Sequence, residues 1–414
     1  MSVLRTRLRA LLLGIAVLLG AGLWPGRGVL AISARPAQTA QPGAYLVHAD
    51  GTGALKLAAG PARLFWAPDD DRFALLQEIE GTAAISVAHA ADAGDGLIVF
   101  QGADSPVDDV AWSPDGGSLA LTSGFALQIV AADGSGPARQ IADHVYAFAW
   151  APGSGALAVV QWDGQPGHGE SLTTIAASDG AAISHILPGQ TKTCPSRLAW
   201  SADGAYLAFS AGLFQNPVCG DPAQTAHGLW VWDTAAKALR QLETKDVGLL
   251  PRWTADGQIV TVREEDPFAR SVVAYAPAGG GQVLAQYFDD CRELSDLGAG
   301  AQAGGGAALF LDTSGDLPQI VTLPLAGGDQ TDLSPPGAYT ALPLLSPDGS
   351  AVAYSLAGDG DYADLAIVRT DGTPRAAMAG NGLSLRAESW SADGATLFVT
   401  TQPRPLNRCA RVDQ

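Results

Sequence analysis

Histidine and carboxylate side chains are the residues of this chain best suited to chemistry, and they fall in segments that separate apolar runs. The candidates are His144, Tyr146, Asp108, Asp109, Asp163, His168, His227, Glu264, Glu265, Asp266, Asp359 and Asp361. Histidine titrates near neutral pH and serves as a general acid or base. Carboxylate oxygens bind Ca²⁺ or a basic partner. If these residues converge, they form either a carboxylate site for Ca²⁺ or a binding surface.

Each of these candidates also has a structural interpretation. The histidines share no spacing, so each is equally consistent with a surface loop, and the run at 264–266 is consistent with a solvated acidic loop. The alternating acids of 359–364 lack the length and the final Glu of an EF-hand. The sequence contains no G-x-S-x-G, no HExxH, no P-loop and no Rossmann fingerprint. No catalytic residue or cofactor is therefore assigned, and Ca²⁺ remains the alternative.

A repeated segment sets the framework that must position these side chains. Its clearest copy is Ala111-Trp112-Ser113-Pro114-Asp115-Gly116. The copies are anchored at Trp66, Trp112, Trp150, Trp200, Trp253, Leu345 and Trp390, and the turn aspartates are Asp115, Asp203, Asp256, Asp348 and Asp393. The steps between anchors are 46, 38, 50, 53, 92 and 45 residues, and the 92-residue step is two periods. Periods of this length built from short strands predict propeller blades.

Each period has the same internal order of strands and turns. A strand ends in the anchor, an Asp-Gly turn follows, and a second strand such as 207–209 returns from it. A third strand, as at 229–232, comes after a loop. Asp and Gly both tolerate the backbone angles of tight hairpins, so the repeat aspartates are predicted to form turns and not to catalyse. The anchor tryptophans are predicted to pack between neighbouring blades.

These motifs resemble the TolB-type propeller repeat, a relative of the WD repeat, over roughly residues 44–402. They also resemble the propeller that precedes the catalytic domain of prolyl oligopeptidase-type peptidases, without that catalytic domain. The resemblance implies an all-β propeller of four-stranded blades. Asp70 and Gly153 depart from the repeat, as does the blurred copy near 294–310. Counting that copy predicts eight blades, and seven is the alternative if residues 280–340 form one irregular blade.

The two ends of the repeat predict how the ring closes. Residues 45–51 look like a third strand with its Asp-Gly turn, whereas the copy at Trp390 supplies only a first and a second strand. N-terminal strands are therefore expected to complete the C-terminal blade, which removes an open sheet edge. We expect one propeller domain over 44–414, preceded by a short linker at 35–43.

The four cysteines are predicted to form disulfides, because the chain looks exported and no CxxC or Cys/His pair suggests zinc. In a propeller, the loops between blades share a face with the loops between second and third strands. Cys194 and Cys219 fall in two such loops of one blade, so we expect them to pair. Cys291 and Cys409 form the remaining pair. Connectivity is not fixed by the sequence.

The N-terminus has the composition of a targeting segment. Three arginines within residues 5–9 precede an apolar run at 10–24, and small-residue cleavage sites end at Ala31 or Ala34. We expect a signal peptide over 1–34, with an uncleaved anchor as the alternative. The run is shorter than the ~20 residues of a spanning helix. Export places the propeller in the periplasm or outside the cell.

The net charge of the chain indicates which classes of partner it can bind. The chain has 24 basic and 42 acidic residues and a net charge of −18, so it should repel nucleic-acid phosphates. The favoured hypothesis is a monomeric, non-catalytic exported propeller that binds a protein or envelope ligand through its loop face. The alternative is a propeller enzyme, a hydrolase, lyase or sugar-acting enzyme, with a carboxylate or Ca²⁺ site at the channel mouth. A membrane-anchored sensor is the third hypothesis.

Overall fold

The protein is all-β, and its computed structural model contains eight four-stranded antiparallel sheets. The structure describes residues 41–69, 71–91, 96–102, 106–162, 170–187, 195–211, 227–247, 251–266, 269–288, 292–297, 307–312, 317–324, 329–335, 340–357, 363–380 and 383–402. Within these ranges there is no helix that could cross a membrane.

The first four blades follow one another along the chain. Blade 1 comprises β3 (Ala62–Trp66), β4 (Arg72–Ile79), β5 (Thr82–His89) and β6 (Leu97–Gly102). Blade 2 comprises β7 (Val107–Trp112), β8 (Ser118–Ser123), β9 (Ala126–Ala131) and β10 (Arg139–Ala142). Blade 3 comprises β11 (Val145–Trp150), β12 (Ala156–Gln161), β13 (Ser171–Ala176) and β14 (Ala182–Leu187). Blade 4 comprises β15 (Pro195–Trp200), β16 (Tyr206–Ala211), β17 (Gly228–Asp233) and β18 (Ala238–Glu243).

The remaining blades include the degenerate repeat and the closing blade. Blade 5 comprises β19 (Arg252–Trp253), β20 (Ile259–Asp266), β21 (Ala269–Tyr275) and β22 (Gly281–Phe288). Blade 6 comprises β23 (Arg292–Leu297), β24 (Ala307–Asp312), β25 (Gln319–Pro324) and β26 (Thr331–Asp332). Blade 7 comprises β27 (Thr340–Leu345), β28 (Ala351–Ala357), β29 (Ala363–Arg369) and β30 (Pro374–Met378). Blade 8 comprises β31 (Ser384–Trp390), β32 (Thr396–Gln402), β1 (Gly43–His48) and β2 (Leu55–Ala58).

The predicted eight blades are therefore confirmed, and the seven-blade alternative is wrong. The blurred repeat forms a complete blade, in which Leu297 ends the first strand, where blade 7 has Leu345 and the six other blades have tryptophan. The predicted closure is confirmed as well, because β1 pairs with β32 over six residues from Gly43↔Thr401 to His48↔Thr396. The N-terminal and C-terminal strands thus share one sheet.

The hydrophobic core is divided among the blade junctions. Eight clusters of buried side chains each combine residues of two neighbouring blades, and the last joins blade 8 to blade 1 through Phe398 and Phe73. First strands of successive blades contact each other, which places them innermost in the ring. Each β-sheet is covered on both faces by its neighbours, so the strands carry buried apolar residues on both sides.

The tryptophan anchors join the blades with hydrogen bonds as well as with apolar contacts. Their indole Nε1 atoms donate to a backbone carbonyl of the preceding blade at 2.9–3.3 Å. The donors are Trp112, Trp150, Trp200, Trp253 and Trp390. In each case the acceptor is the residue just before the anchor of that blade, as when Trp112 donates to Phe65. The predicted packing of the anchors between blades is confirmed.

Candidate functional site

The repeat aspartates lie at the opposite end of the blades from the longer loops, and their geometry is that of turn residues. In the copy at Ser201, the hydroxyl donates to Asp203 at 2.7 Å and accepts the backbone N–H of Tyr206 at 2.9 Å. The same arrangement recurs at Asp115, Asp256, Asp348 and Asp393. The serine hydrogen bond is the main cause that lowers the pKa of Asp203. These side chains are occupied in holding the hairpin between the first and second strands.

We call the other end of the blades the loop face. Here the innermost strands of blades 2 and 3 each contain a β-bulge, which is a shift of one residue in strand register. In blade 2 the shift lies between Val107 and Asp109, and in blade 3 it lies between Val145 and Ala147. The extra residues are thus Asp108 and Tyr146. A bulge re-aims side chains and is common next to functional sites.

Two exposed aromatic side chains meet on the loop face of blades 2 and 3, and we call them the aromatic patch. The rings of Phe125 and Tyr146 have centroids 5.1 Å apart and planes tilted by 51°. Phe125 is 51% exposed and Tyr146 is 36% exposed. Burial, and then the negative charge of the neighbouring Glu170, raises the pKa of the Tyr146 hydroxyl. The patch offers a large apolar surface with one polar tip.

The backbone beneath the aromatic patch is unusual. Ser123 pairs with Ala126, so Gly124 and Phe125 alone form the hairpin turn of blade 2, with φ of 57° and 65°. Positive φ at both central residues defines a type I′ turn, which favours Asn-Gly or Gly-Gly. His144, in the loop that leads into blade 3, also has a positive φ of 55°. The chain therefore holds a bulky aromatic residue where a small one would be less strained.

A second group of charged residues lies at the junction of blades 1 and 2. Arg63 donates through Nη1 to the carbonyl of Asp108 at 2.8 Å, and its guanidinium lies 5.1 Å from the ring centre of Phe65. Burial raises the pKa of the neighbouring Asp109, although the positive charge of Arg63 acts in the opposite direction. The predicted candidates Asp108 and Asp109 thus belong to an inner strand and not to a loop.

The acidic run at 264–266 is paired with basic residues of the same chain. Glu264 and Glu265 continue strand β20 instead of forming a loop. Glu265 forms ion pairs with Lys245 (2.6 Å) and with Arg263, and Glu264 pairs with Arg270. Asp266 is the last residue of the strand, and its side chain lies outside the described part of the structure. The described carboxylates are therefore neutralised internally and are not a free acidic surface.

This ion-pair network continues across the junction of blades 4 and 5. Arg263 also reaches Glu243 of blade 4 at 3.2 Å, and the hydroxyl of Tyr275 donates to the same carboxylate at 2.7 Å. The hydrogen bond to Lys245, with a further contribution from Arg263, lowers the pKa of Glu265 to about 2. Burial disfavours the charged form of Arg263 and therefore acts to lower its pKa. The hydrogen bonds of Arg263 to Glu265 and Glu243 have the larger combined effect, so the pKa of Arg263 is raised. The network fixes one blade against the next.

His227 precedes the third strand of blade 4 and lies close to the same junction. Its Nδ1 is 2.8 Å from a carboxylate oxygen of Asp246, in the loop that leads to blade 5. The carbonyl of His227 accepts hydrogen bonds from the Trp230 indole and the Gln241 amide at 3.3 and 2.8 Å. These contacts hold the loops on either side of the junction in place.

The remaining candidates fall outside the described residues. They are Asp163, His168, Asp359 and Asp361, together with all four cysteines, so the Ca²⁺ alternative and both disulfides stay predictions. Within the part of the chain that is described, no three His, Cys, Asp or Glu side chains are grouped in a way that could hold a metal ion.

Sequence reasoning missed two residues of the loop face. An exposed aromatic residue in a Gly-containing turn matches no motif, so sequence patterns do not predict Phe125. The unusual Gly-Phe pair between two apolar strands was the available signal. Arg63 was missed because its role depends on the neighbouring blade, which a linear pattern does not reveal.

The fold and its repeats define this chain as an eight-bladed β-propeller. No protein-family model matches the chain, and neither does any curated protein. Solved structures with a similar fold include dipeptidyl peptidase 4 from Porphyromonas gingivalis, at 14% identity, a TM-score of 0.56, and coverage of 80% of this chain and 56% of that one. A structure from a study of two prolyl endopeptidases has 13% identity, a TM-score of 0.54, and coverage of 81% and 53%. This chain spans about half the length of those proteins.

TolB from Acinetobacter baumannii is also similar, at 14% identity over 80% of this chain and 79% of that one. Its TM-score is 0.38, which is too low to support an argument about function. At these identities the comparisons establish the propeller fold and nothing finer. The predicted resemblance to TolB-type and prolyl oligopeptidase-type propellers is confirmed at that level.

Proposed function

We propose that this chain is an exported, non-catalytic propeller that binds a protein partner through its loop face, with the aromatic patch as the central contact. The proposal combines the TolB-like repeat architecture with the features of blades 2 and 3. Export is supported by the basic and apolar N-terminal segment of the sequence.

The observation that carries the proposal is the exposed, strained Phe125. A non-glycine residue at positive φ costs about 1 kcal/mol or more. The exposed half of the aromatic ring also loses the favourable free energy that its burial would contribute. Such outliers concentrate at binding and switch sites. Exposed aromatic side chains are also the ones that dominate protein interfaces. A protein partner that covers the aromatic patch would account for both costs.

Replacing Phe125 tests the proposal without harming the fold. Phe125→Asn removes the ring and puts a residue that tolerates positive φ in the turn, so stability should stay the same or rise. The partner is isolated on the full-length chain, and its dissociation constant is then measured for each variant. Loss of a central aromatic contact should weaken binding by about tenfold or more, since such contacts contribute upwards of 1–2 kcal/mol.

A matched control shows whether a loss of binding is specific to the aromatic patch or follows from removing any exposed apolar side chain. Ile183 is 56% exposed on the outermost strand of blade 3, far from the innermost strand that carries Tyr146. Ile183→Ser should leave the dissociation constant unchanged. Equal affinities for Phe125→Asn, Tyr146→Ser and the unmodified chain would refute the role of the patch.

A further inference from the structure

A cleft of about 540 Å³ opens on the loop face where blade 1 meets blade 2. Its apolar lining includes Leu76, Pro106 and Val107, and its charged lining consists of Arg63 and Glu78. Small-ligand sites are typically ~300–1,000 Å³, mostly apolar, with a few well-placed polar groups. The cleft matches that description, and it is separate from the aromatic patch.

Arg63 and Glu78 face the same side of blade 1. In the register of β3 and β4, Arg63 lies directly opposite Leu76, and Glu78 is two residues further along β4. Alternation along a strand puts Leu76 and Glu78 on one face, the one that packs against blade 2 through Leu76 and Phe65. Diagonal neighbours of this kind have Cα atoms about 7–8 Å apart.

Arg63 and Glu78 are exposed and carry opposite charges, and they do not pair with each other. Neither Arg63 nor Glu78 has a carboxylate or basic partner within 4 Å among the described residues, although the charge of Arg63 acts at longer range on Asp109. Arg63 is held instead by the Asp108 carbonyl and the Phe65 ring. One guanidinium nitrogen is thus fixed, and no described residue accepts a hydrogen bond from the remaining N–H groups, which form a planar donor suited to a carboxylate.

We propose that the cleft binds a short peptide with both ends free. Its carboxylate lies on Arg63, its ammonium group on Glu78, and its apolar side chains against Leu76, Pro106 and Val107. An extended chain gains about 3.3–3.6 Å per residue, so a peptide of about two to three residues spans the ~7–8 Å between the Cα atoms of such diagonal neighbours. This site goes beyond the protein-binding role proposed above and does not depend on it.

The test uses the full-length chain and a tripeptide probe, Ala-Leu-Ala, titrated by calorimetry. Three blocked versions are compared with it: N-acetylated, C-amidated and doubly blocked. Blocking either end should weaken binding about tenfold, because each end loses one charge-assisted hydrogen-bonding contact of about 1.5 kcal/mol. Equal affinities for free and blocked peptides would overturn the proposal, and so would the absence of heat with all four.

Substitutions of Arg63 and Glu78 show which residue binds each charged end of the peptide. Arg63→Gln should abolish the difference between free acid and amide but keep the difference between free and acetylated amine. Glu78→Gln should do the reverse. Arg139→Gln is the control, because Arg139 is an exposed arginine that donates to the Ala177 carbonyl outside the cleft. A carboxylate preference that persists in Arg63→Gln would contradict the assignment, and Phe125→Asn should leave tripeptide binding unchanged.

Discussion

Glu265 provides a quantitative test of the conclusion that the ion-pair network of Arg263, Glu265, Glu243 and Lys245 fixes blade 4 against blade 5. The substitution is Glu265→Gln, which keeps the shape of the side chain and removes its charge. Glu265 and Arg263 are 16% and 21% exposed, so their ion pair is largely withdrawn from solvent. Lys245, the second partner, is 47% exposed, and its contribution is screened.

The pKa shift gives the magnitude. The carboxyl pKa falls from 4.5 to about 2 on folding. By linkage this corresponds to an upper value of about 3 kcal/mol at neutral pH. Screening of Lys245, and the hydrogen bonds that Gln retains, reduce the expected loss to about 1–2 kcal/mol. Because the folded-state pKa is the lower one, this stabilisation is complete above pH 4.5 and is lost as the pH falls towards 2.

Urea unfolding followed by tryptophan fluorescence measures the effect at pH 7 and pH 3. Glu264→Gln is the matched control. It removes the same charge from the same strand, but its pair with Arg270 is more exposed, so we expect a loss of at most about 0.5 kcal/mol. At pH 3 more than half of the Glu265→Gln effect should have vanished. Two results would contradict the stabilising role of Glu265: equal stability of the two variants at pH 7, or a Glu265→Gln loss that does not depend on pH.

Two further predictions concern the blade framework. Trp112→Phe removes the indole hydrogen bond to Phe65, whereas the Trp66 indole has no acceptor within the described residues. Trp112→Phe should therefore cost about 1 kcal/mol more than Trp66→Phe in urea unfolding, and equal losses would contradict the role of the indole hydrogen bonds. Gly204 has a φ of 71° in its turn, whereas a methyl group added at Gly153 meets open space and φ there is not in the left-handed region. Gly204→Ala should lower stability by about 1 kcal/mol and Gly153→Ala should raise it by about 0.5 kcal/mol in thermal unfolding, and the opposite order would be inconsistent with the turn geometry.

The fold could be predicted from the sequence because its information is local and repeated. Each Ser-x-Asp-Gly turn satisfies its own hydrogen bonds within six residues, as Ser201 and Asp203 show. The anchors mark where each first strand ends. Even the sixth blade, where Leu297 replaces tryptophan, retained enough spacing to be counted.

For the candidate site, the sequence predicts which face of the ring carries it but not which side chains meet there. The acids at 264 and 265 looked free in the sequence because Lys245, which pairs with Glu265, comes from the loop that leads into blade 5. The same network includes Glu243 of blade 4, which pairs with Arg263. The bulges that place Asp108 and Tyr146 on the inner strands depend on register between strands, which no local pattern encodes. Such contacts between segments distant in sequence decide which side chains are available to a ligand.

Site-specific photo-crosslinking tests the proposed binding role most directly. Benzoylphenylalanine replaces Phe125 in one full-length variant and Ile183 in the other, and both are irradiated in native envelope extract. We expect a discrete protein adduct at position 125, suppressed by excess unmodified chain but not by excess Phe125→Asn chain, and no such adduct at position 183. Adducts of equal yield at both positions, or none at position 125, would contradict the claim that the aromatic patch is where a partner binds.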